Sequence, residues 1–263
     1  MLSQLHLTTN YAQDRYNFLR QLEAYRADAY VIGGIAHIGV GINLQEIGNL
    51  NQVLQTFGFD VSGQQLTGDA LTAEQYYRDQ IRIIVNRNYP STNAGTQQLQ
   101  NDLRNILQAR ASNTIAGYPS TFYRRPTFVF SNEAESKTVF DAVIGGFETR
   151  VDNWLGYKMA DSKERAALVS LAYNSVTGST DLLGPKLKAA ITNDNRSEAW
   201  YEIRYNSNAD RGHASRRYTE SNMFNLYDAV FNEAGAKEVM RMYTLKVAIG
   251  FQPSVISLKR SLS

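Results

Sequence analysis

Apolar residues recur every three to four positions at Tyr11, Phe18, Leu22, Tyr25 and Ala29, and that rhythm stops at Gly33-Gly34. The spacing predicts an amphipathic helix from about Tyr11 to Tyr30. A glycine pair cannot continue a helix cheaply and suits a tight turn. Next comes Ile35-Ala-His-Ile-Gly-Val-Gly-Ile-Asn-Leu44, short, β-branched and punctuated by glycine, which predicts a small strand or hairpin.

Residues 60–130 are rich in Gln, Asn, Thr and Gly, with helical patches near 72–87 and 95–111. Thr72-Ala-Glu-Gln75 has the form of a capping box. From Asn132 onward the pattern is helical again. Asn132 is placed to cap a run containing Val139, Phe140 and Val143, and Asp161 to cap one through Leu168, Leu171 and Ala172. A further helix is expected from near Ser215, carrying Tyr218, Phe224, Tyr227 and Phe231. The expected fold is therefore α+β and mainly α. It is read as one domain over residues 1–263, with an elaboration at about 60–130.

Composition narrows the chemistry. The 27 Lys and Arg stand against 25 Asp and Glu, a net charge of +2. That is compatible with an anionic polymer but selects no partner. No basic run is interleaved with aromatics, so nucleic-acid binding is not expected. No cysteine is present, which excludes disulfides, thiolate zinc sites and CxxC redox chemistry. The N-terminal residues lack the basic and apolar regions of a signal peptide. No apolar stretch reaches the roughly 20 residues of a membrane span, so neither a membrane partner nor self-directed export is expected.

The three histidines, His6, His37 and His213, form no HxxxH pair, so no helical zinc site is expected. Neither a GxSxG elbow nor a GxxxxGK loop occurs. Gly39-Val-Gly41 does not extend to GxGxxG, and it follows a turn where a dinucleotide site would need a long parallel strand. No metal or organic cofactor is expected. Carboxylate chemistry remains. Glycoside cleavage needs a proton donor for the leaving oxygen, held on a rigid element beside a groove. Glu23 meets the positional requirement, late in the first helix and just before the glycine-rich β element. Taken alone, it reads as a solvated helix glutamate.

The stretch Glu23-Ala-Tyr-Arg-Ala-Asp-Ala-Tyr30, followed by His37-Ile-Gly-Val-Gly-Ile-Asn-Leu44, resembles the active-site segment of phage-type lysozymes, glycoside hydrolase family 24. There a helix ends in E-G-x-x-x-x-x-Y, and a turn leads to a T-[IV]-G-x-G hairpin. Two later segments are similar to family helices and come in the family order. Ala167-Leu-Val-Ser-Leu-Ala-Tyr-Asn174 resembles A-L-[VI]-x-[FL]-x-[FY]-N, and His213-Ala-Ser-Arg-Arg-Tyr-Thr-Glu220 resembles G-L-x-x-R-R-x-x-E. VDNWLG, DLLGPKLKAAI and AWYEIRYNSN look like muramidase domains of phage tails and type VI secretion effectors.

The resemblance implies a lysozyme-like fold, a small β-hairpin lobe and a larger helical lobe flanking a glycan cleft. It also implies hydrolysis of the β-1,4 bond between N-acetylmuramic acid and N-acetylglucosamine. Peptidoglycan strands would be the substrate, in the periplasm or cell wall of a target bacterium. Delivery would fall to a secretion or tail-spike component, with an immunity protein as a further partner. Glu23 falls on the catalytic acid.

The family's aspartate, two residues after the matched tyrosine, falls on Ile32, and its hairpin threonine on His37. Asp28 and Glu46 lie nearby but match no family carboxylate, and on a continuous helix Asp28 would sit about 140° around from Glu23. His37 is therefore the second catalytic candidate, since a neutral imidazole can orient or deprotonate water, and it equally suits a hydrogen-bonded structural role. Strand alternation puts His37 and Gly39 on one face, leaving room for sugar and water. Arg216 aligns with the arginine that pairs with the family's glutamate, and equally suits an i,i+4 pair with Glu220. Asn174 suits either a water or N-acetyl contact or a hydrogen bond at a helix end. Trp154, Trp200, Tyr201 and Tyr205 fit core packing better than sugar stacking. Two alternatives stand beside hydrolysis: a lytic transglycosylase, which needs one carboxylate, and a peptidoglycan-binding structural domain.

Overall fold

The computed structural model describes residues 1–114, 118, 122–175, 182–207, 213–230 and 233–248. Among them are ten α-helices and one three-stranded antiparallel sheet, an α+β architecture that is mainly α. No described helix is long and apolar enough to cross a membrane. The chain divides into two compact units, Tyr16–Gly146 and Met1–Arg15 with Phe147–Ser263. The division falls inside helix α1 (Tyr11–Glu23) and helix α5 (Glu133–Leu155).

In the Tyr16–Gly146 unit, α1 stops at Glu23, seven residues before the periodicity predicts. Ala24 takes a φ of 58°, a left-handed turn that ends the helix. The remaining apolar residues of the expected helix belong instead to strand β1 (Arg26–Ile32), where Ala29, Tyr30 and Val31 are buried. Gly33 and Gly34 make the turn at φ 59° and 80°, and β2 (Ile35–Gly39) and β3 (Ile42–Asn43) complete the predicted hairpin.

Four helical segments surround the sheet: α2 (Ile47–Thr56), α3 (Gly68–Val85), α4 (Asn93–Ala111) and the first part of α5. Leu99, Leu103 and Leu107 recur every fourth residue on α4 and are fully buried. The same helix bonds to the outer side of β1. Thr96 Oγ1 accepts from Val31 N at 3.2 Å, and Gln100 Nε2 donates to the Ala29 carbonyl at 2.8 Å and to Asp28 at 2.7 Å. Further along the same edge Phe130 N donates to the Ala27 carbonyl at 2.9 Å.

The expected caps shift by a few residues. Thr72 lies inside α3, whose N-cap is Thr67. At α6 (Lys163–Asn174) the cap is Ser162 rather than Asp161, its hydroxyl accepting from Arg165 N. Asn132 does cap α5, accepting from Glu135 N at 2.9 Å.

A fully buried ion pair organises the segment read as an elaboration. Arg110 on α4 donates to Glu74 on α3 twice, at 2.9 and 2.8 Å, and once to the Gly58 carbonyl at 2.6 Å. Its guanidinium lies 3.6 Å from the centre of the Phe59 ring. Glu74 also accepts from Asp60 N and Tyr118 Oη, so one pair holds two helices and the α2–α3 connection. Burial works against the charge on Asp60. The N–H groups of Gln65, Leu66 and Gln64 outweigh it and hold this carboxyl below its ordinary range.

The other unit contains α6, α7 (Pro185–Thr192), α8 (Arg196–Tyr201) with a π turn at Glu202–Asn206, α9 (Ala214–Phe224) and α10 (Glu233–Ala248). The helix expected near Ser215 is α9. It ends at Phe224, before Tyr227, and Phe231 lies outside the described residues. Residues 166–172 of α6 are all buried, so this helix runs through the unit's centre with no solvent face. Glu164 at its start is fully buried and binds His6 Nδ1 at 2.7 Å and Arg196 Nη1 at 2.8 Å.

Removing one partner of a buried ion pair strands the other charge in a low-dielectric interior. Arg110→Ala is therefore expected to lower the unfolding free energy by about 3–5 kcal/mol, measured by urea denaturation. A loss under about 1 kcal/mol would mean that Glu74 needs no buried cation.

Candidate active site around Glu23

Glu23 is the closing residue of α1, and what it faces is a glycine. A Cβ built on Gly41, at φ 69°, would lie 3.0 Å from Glu23 Oε2, 3.1 Å from its Cδ and 3.2 Å from its Cγ. A side chain at position 41 would press on the carboxylate, and the positive φ there favours glycine independently. Gly39 serves a different purpose from the one alternation predicts. A Cβ there would sit 2.6 Å from Ser136 Oγ and 3.2 Å from the Phe130 ring, so protein fills the expected room. Its φ of 65° breaks the strand alternation on which that expectation rested.

His37 and Tyr30 are register partners on β2 and β1, with His37 also opposite Asn43 on β3. The Tyr30 and His37 rings stack with centroids 5.6 Å apart and planes inclined by 23°. His37 Nδ1 lies 2.9 Å from the Ile35 carbonyl. A carbonyl only accepts, so Nδ1 carries the proton, and in the neutral ring Nε2 keeps its lone pair. Burial pulls the imidazole below its ordinary range, opposed by the Ile35 hydrogen bond and by the Glu23 charge. The ring is thus held neutral, with one nitrogen free to act as a base.

Tyr30 is buried, and its hydroxyl is pushed up to about 12, by desolvation first and by Glu23 second. The Gly41 N–H and the Arg26 guanidinium, the latter 4.7 Å from the ring centre, pull the other way. One carboxylate therefore acts electrostatically on both aromatic rings of the hairpin.

Asp28 and Glu46 do not join this group. The strand turns Asp28 to Gln100, and Glu46 stands exposed before α2. Asn174 and Arg216 belong to the other unit. Asn174 Oδ1 accepts from Arg217, whose guanidinium also pairs with Glu220. Arg216 donates to Glu220 at 3.1 Å and to Ser170 Oγ at 3.3 Å. Glu220 is fully buried and takes a 2.6 Å bond from Ser170 Oγ, so this i,i+4 pair is no surface pair. Trp200, Tyr201 and Tyr205 pack on one another, with Arg204 over the Trp200 ring at 4.8 Å. Among the described residues no three His, Asp or Glu converge as a metal cage. Periodicity missed the local arrangement because it read a helix through Tyr30. A strand there is what sets Tyr30 against His37.

Comparison with family models, with curated proteins and with solved structures finds no match for this chain.

Gly41→Ala adds both backbone strain and a clash with Glu23, and is expected to cost about 1–2 kcal/mol of stability. A double-mutant cycle with Glu23→Ala separates the two parts, since truncating the glutamate removes the clash but not the strain. The substitution should cost less in the Glu23→Ala background. Equal costs in both would mean that Glu23 does not press on Gly41.

Proposed function

We propose that this chain is a muramidase of the lysozyme type, cleaving the β-1,4 bond between N-acetylmuramic acid and N-acetylglucosamine in peptidoglycan. The observation that carries this reading is the placement of Glu23, at the end of a helix and against the second glycine of a hairpin that also carries His37. That is the local arrangement implied by the resemblance to phage-type lysozymes. Ala24 adds support. It stands where the family pattern has glycine, and its φ of 58° is the backbone that such a glycine serves. Gly39 and Gly41, the two glycines of the hairpin pattern, both take positive φ.

In this reading Glu23 donates a proton to the glycosidic oxygen as the bond to the sugar's anomeric carbon breaks. Water attacks that carbon, and His37 Nε2 accepts the proton that the water releases. The imidazole does the work of the family's aspartate, whose position is Ile32 here. Asn174 and Arg216 belong to the other unit, where the buried Arg217–Glu220 group engages both. The site of action is the periplasm or cell wall of a target bacterium, with delivery by a secretion or phage-tail component and an immunity protein as a further partner. No organic cofactor or metal enters this chemistry.

A lytic transglycosylase is the second reading, favoured by Asp28 being engaged with Gln100 rather than with the Glu23 group. There the muramic acid's own O6 hydroxyl attacks the anomeric carbon and water is not consumed. Mass spectrometry of digested, purified peptidoglycan distinguishes the two. Hydrolysis is expected to leave fragments ending in reducing muramic acid. Mainly 1,6-anhydro fragments, lighter by one water, would assign the chain to the transglycosylases. No fragments at all would leave only a peptidoglycan-binding role.

A further inference from the structure

Tyr30 belongs to the matched motif, but the resemblance implies no role for it. Two contacts converge on it. Its ring stacks on His37, the register partner across the β1–β2 pair. The Arg26 guanidinium lies over the Tyr30 ring, 4.7 Å from its centre. At 2% exposure Tyr30 has no freedom to swing out.

We propose that Tyr30 is the positioning residue of this site, holding the His37 imidazole by its ring. The inference rests on the muramidase reading for the reaction it serves. The ring shields one face of the imidazole from water, and a desolvated imidazole stays neutral.

The groups facing His37 are few. Glu23 comes from α1, Tyr30 from β1 with Arg26 beyond it, the neutral Asn43 from β3, and the Ile35 carbonyl from its own strand. Asp28 on β1 is engaged by Gln100 of α4. Of these, only Glu23 is an acid acting directly on the imidazole. Loss of the Tyr30 ring would therefore reach His37 mainly as hydration.

Two variants test this. Tyr30→Phe keeps the ring, and Tyr30→Ala deletes it. The readouts are thermal melting, NMR titration of the His37 ring (assigned by its loss in His37→Asn) and release of fragments from peptidoglycan. Tyr30→Phe is expected to melt near wild type and to leave the His37 titration unmoved. Tyr30→Ala is expected to raise the His37 midpoint toward the ordinary value of about 6.5. Its kcat should fall by about tenfold or more, since small displacements of a catalytic group are costly. An unmoved His37 midpoint or a wild-type rate in Tyr30→Ala would overturn the proposal. If the unaltered chain releases no fragments, the muramidase reading fails on its own. The His37 midpoint then still decides whether Tyr30 governs that imidazole.

Discussion

The arrangement around Glu23 centres on its close approach to Gly41. Gly41 brings its backbone so close to the carboxylate that a Cβ would sit at the lower limit of van der Waals contact. Around that approach the rest of the site is assembled. Ala24 ends the helix in a left-handed turn, so Glu23 is its last residue and the chain can reverse into β1. The hairpin then brings Tyr30 and His37 into register and carries Gly41 back to the helix end. A helix that continued to Tyr30 would leave no strand to pair with β2, and the group would not exist.

Buried charge supplies the rigid frame. In the Glu23 unit, Arg110 and Glu74 join α3 to α4, and α4 in turn covers the edge of β1 through Thr96 and Gln100. In the other unit, Glu164 gathers His6 and Arg196, and Glu220 gathers Ser170, Arg216 and Arg217. Such pairs contribute little net stability relative to apolar packing, but breaking one is costly because the remaining charge stays buried. Their value lies in tying together segments far apart in sequence: residues 6 and 164 in one case, 74 and 110 in the other. Arg216, Arg217 and Glu220 form the centre of a buried polar network.

Much of the fold was legible because its signals are local. The glycine pair, the β-branched hairpin and helices α3, α4, α5, α6 and α9 follow from period and punctuation, whereas α7, α8 and α10 were not anticipated. Errors came where short-range cues compete. Tyr25 and Ala29 fit the helical period of Tyr11–Leu22, yet the stretch from Arg26 to Ile32 reads equally as a strand, and a left-handed alanine is invisible to periodicity. Thr72 and Asp161 have capping chemistry, but Thr67 and Ser162 occupy the caps. The Arg110–Glu74 pair could not be anticipated, since nothing in a polar stretch marks which charges will be buried. At the site, Glu23 and His37 were legible through motif order. The stack of Tyr30 on His37 required strand register, and the role of Gly41 required knowing what its absent side chain would strike.

The central claim is that Glu23 is the proton donor. The most direct measurement is lysis of purified cell walls by Glu23→Gln, which keeps the shape and hydrogen-bonding reach of the side chain but has no proton to transfer. Activity is expected to fall at least about a hundredfold, the usual contribution of a general acid, with the unfolding transition unchanged. Lysis near the wild-type rate would contradict the account.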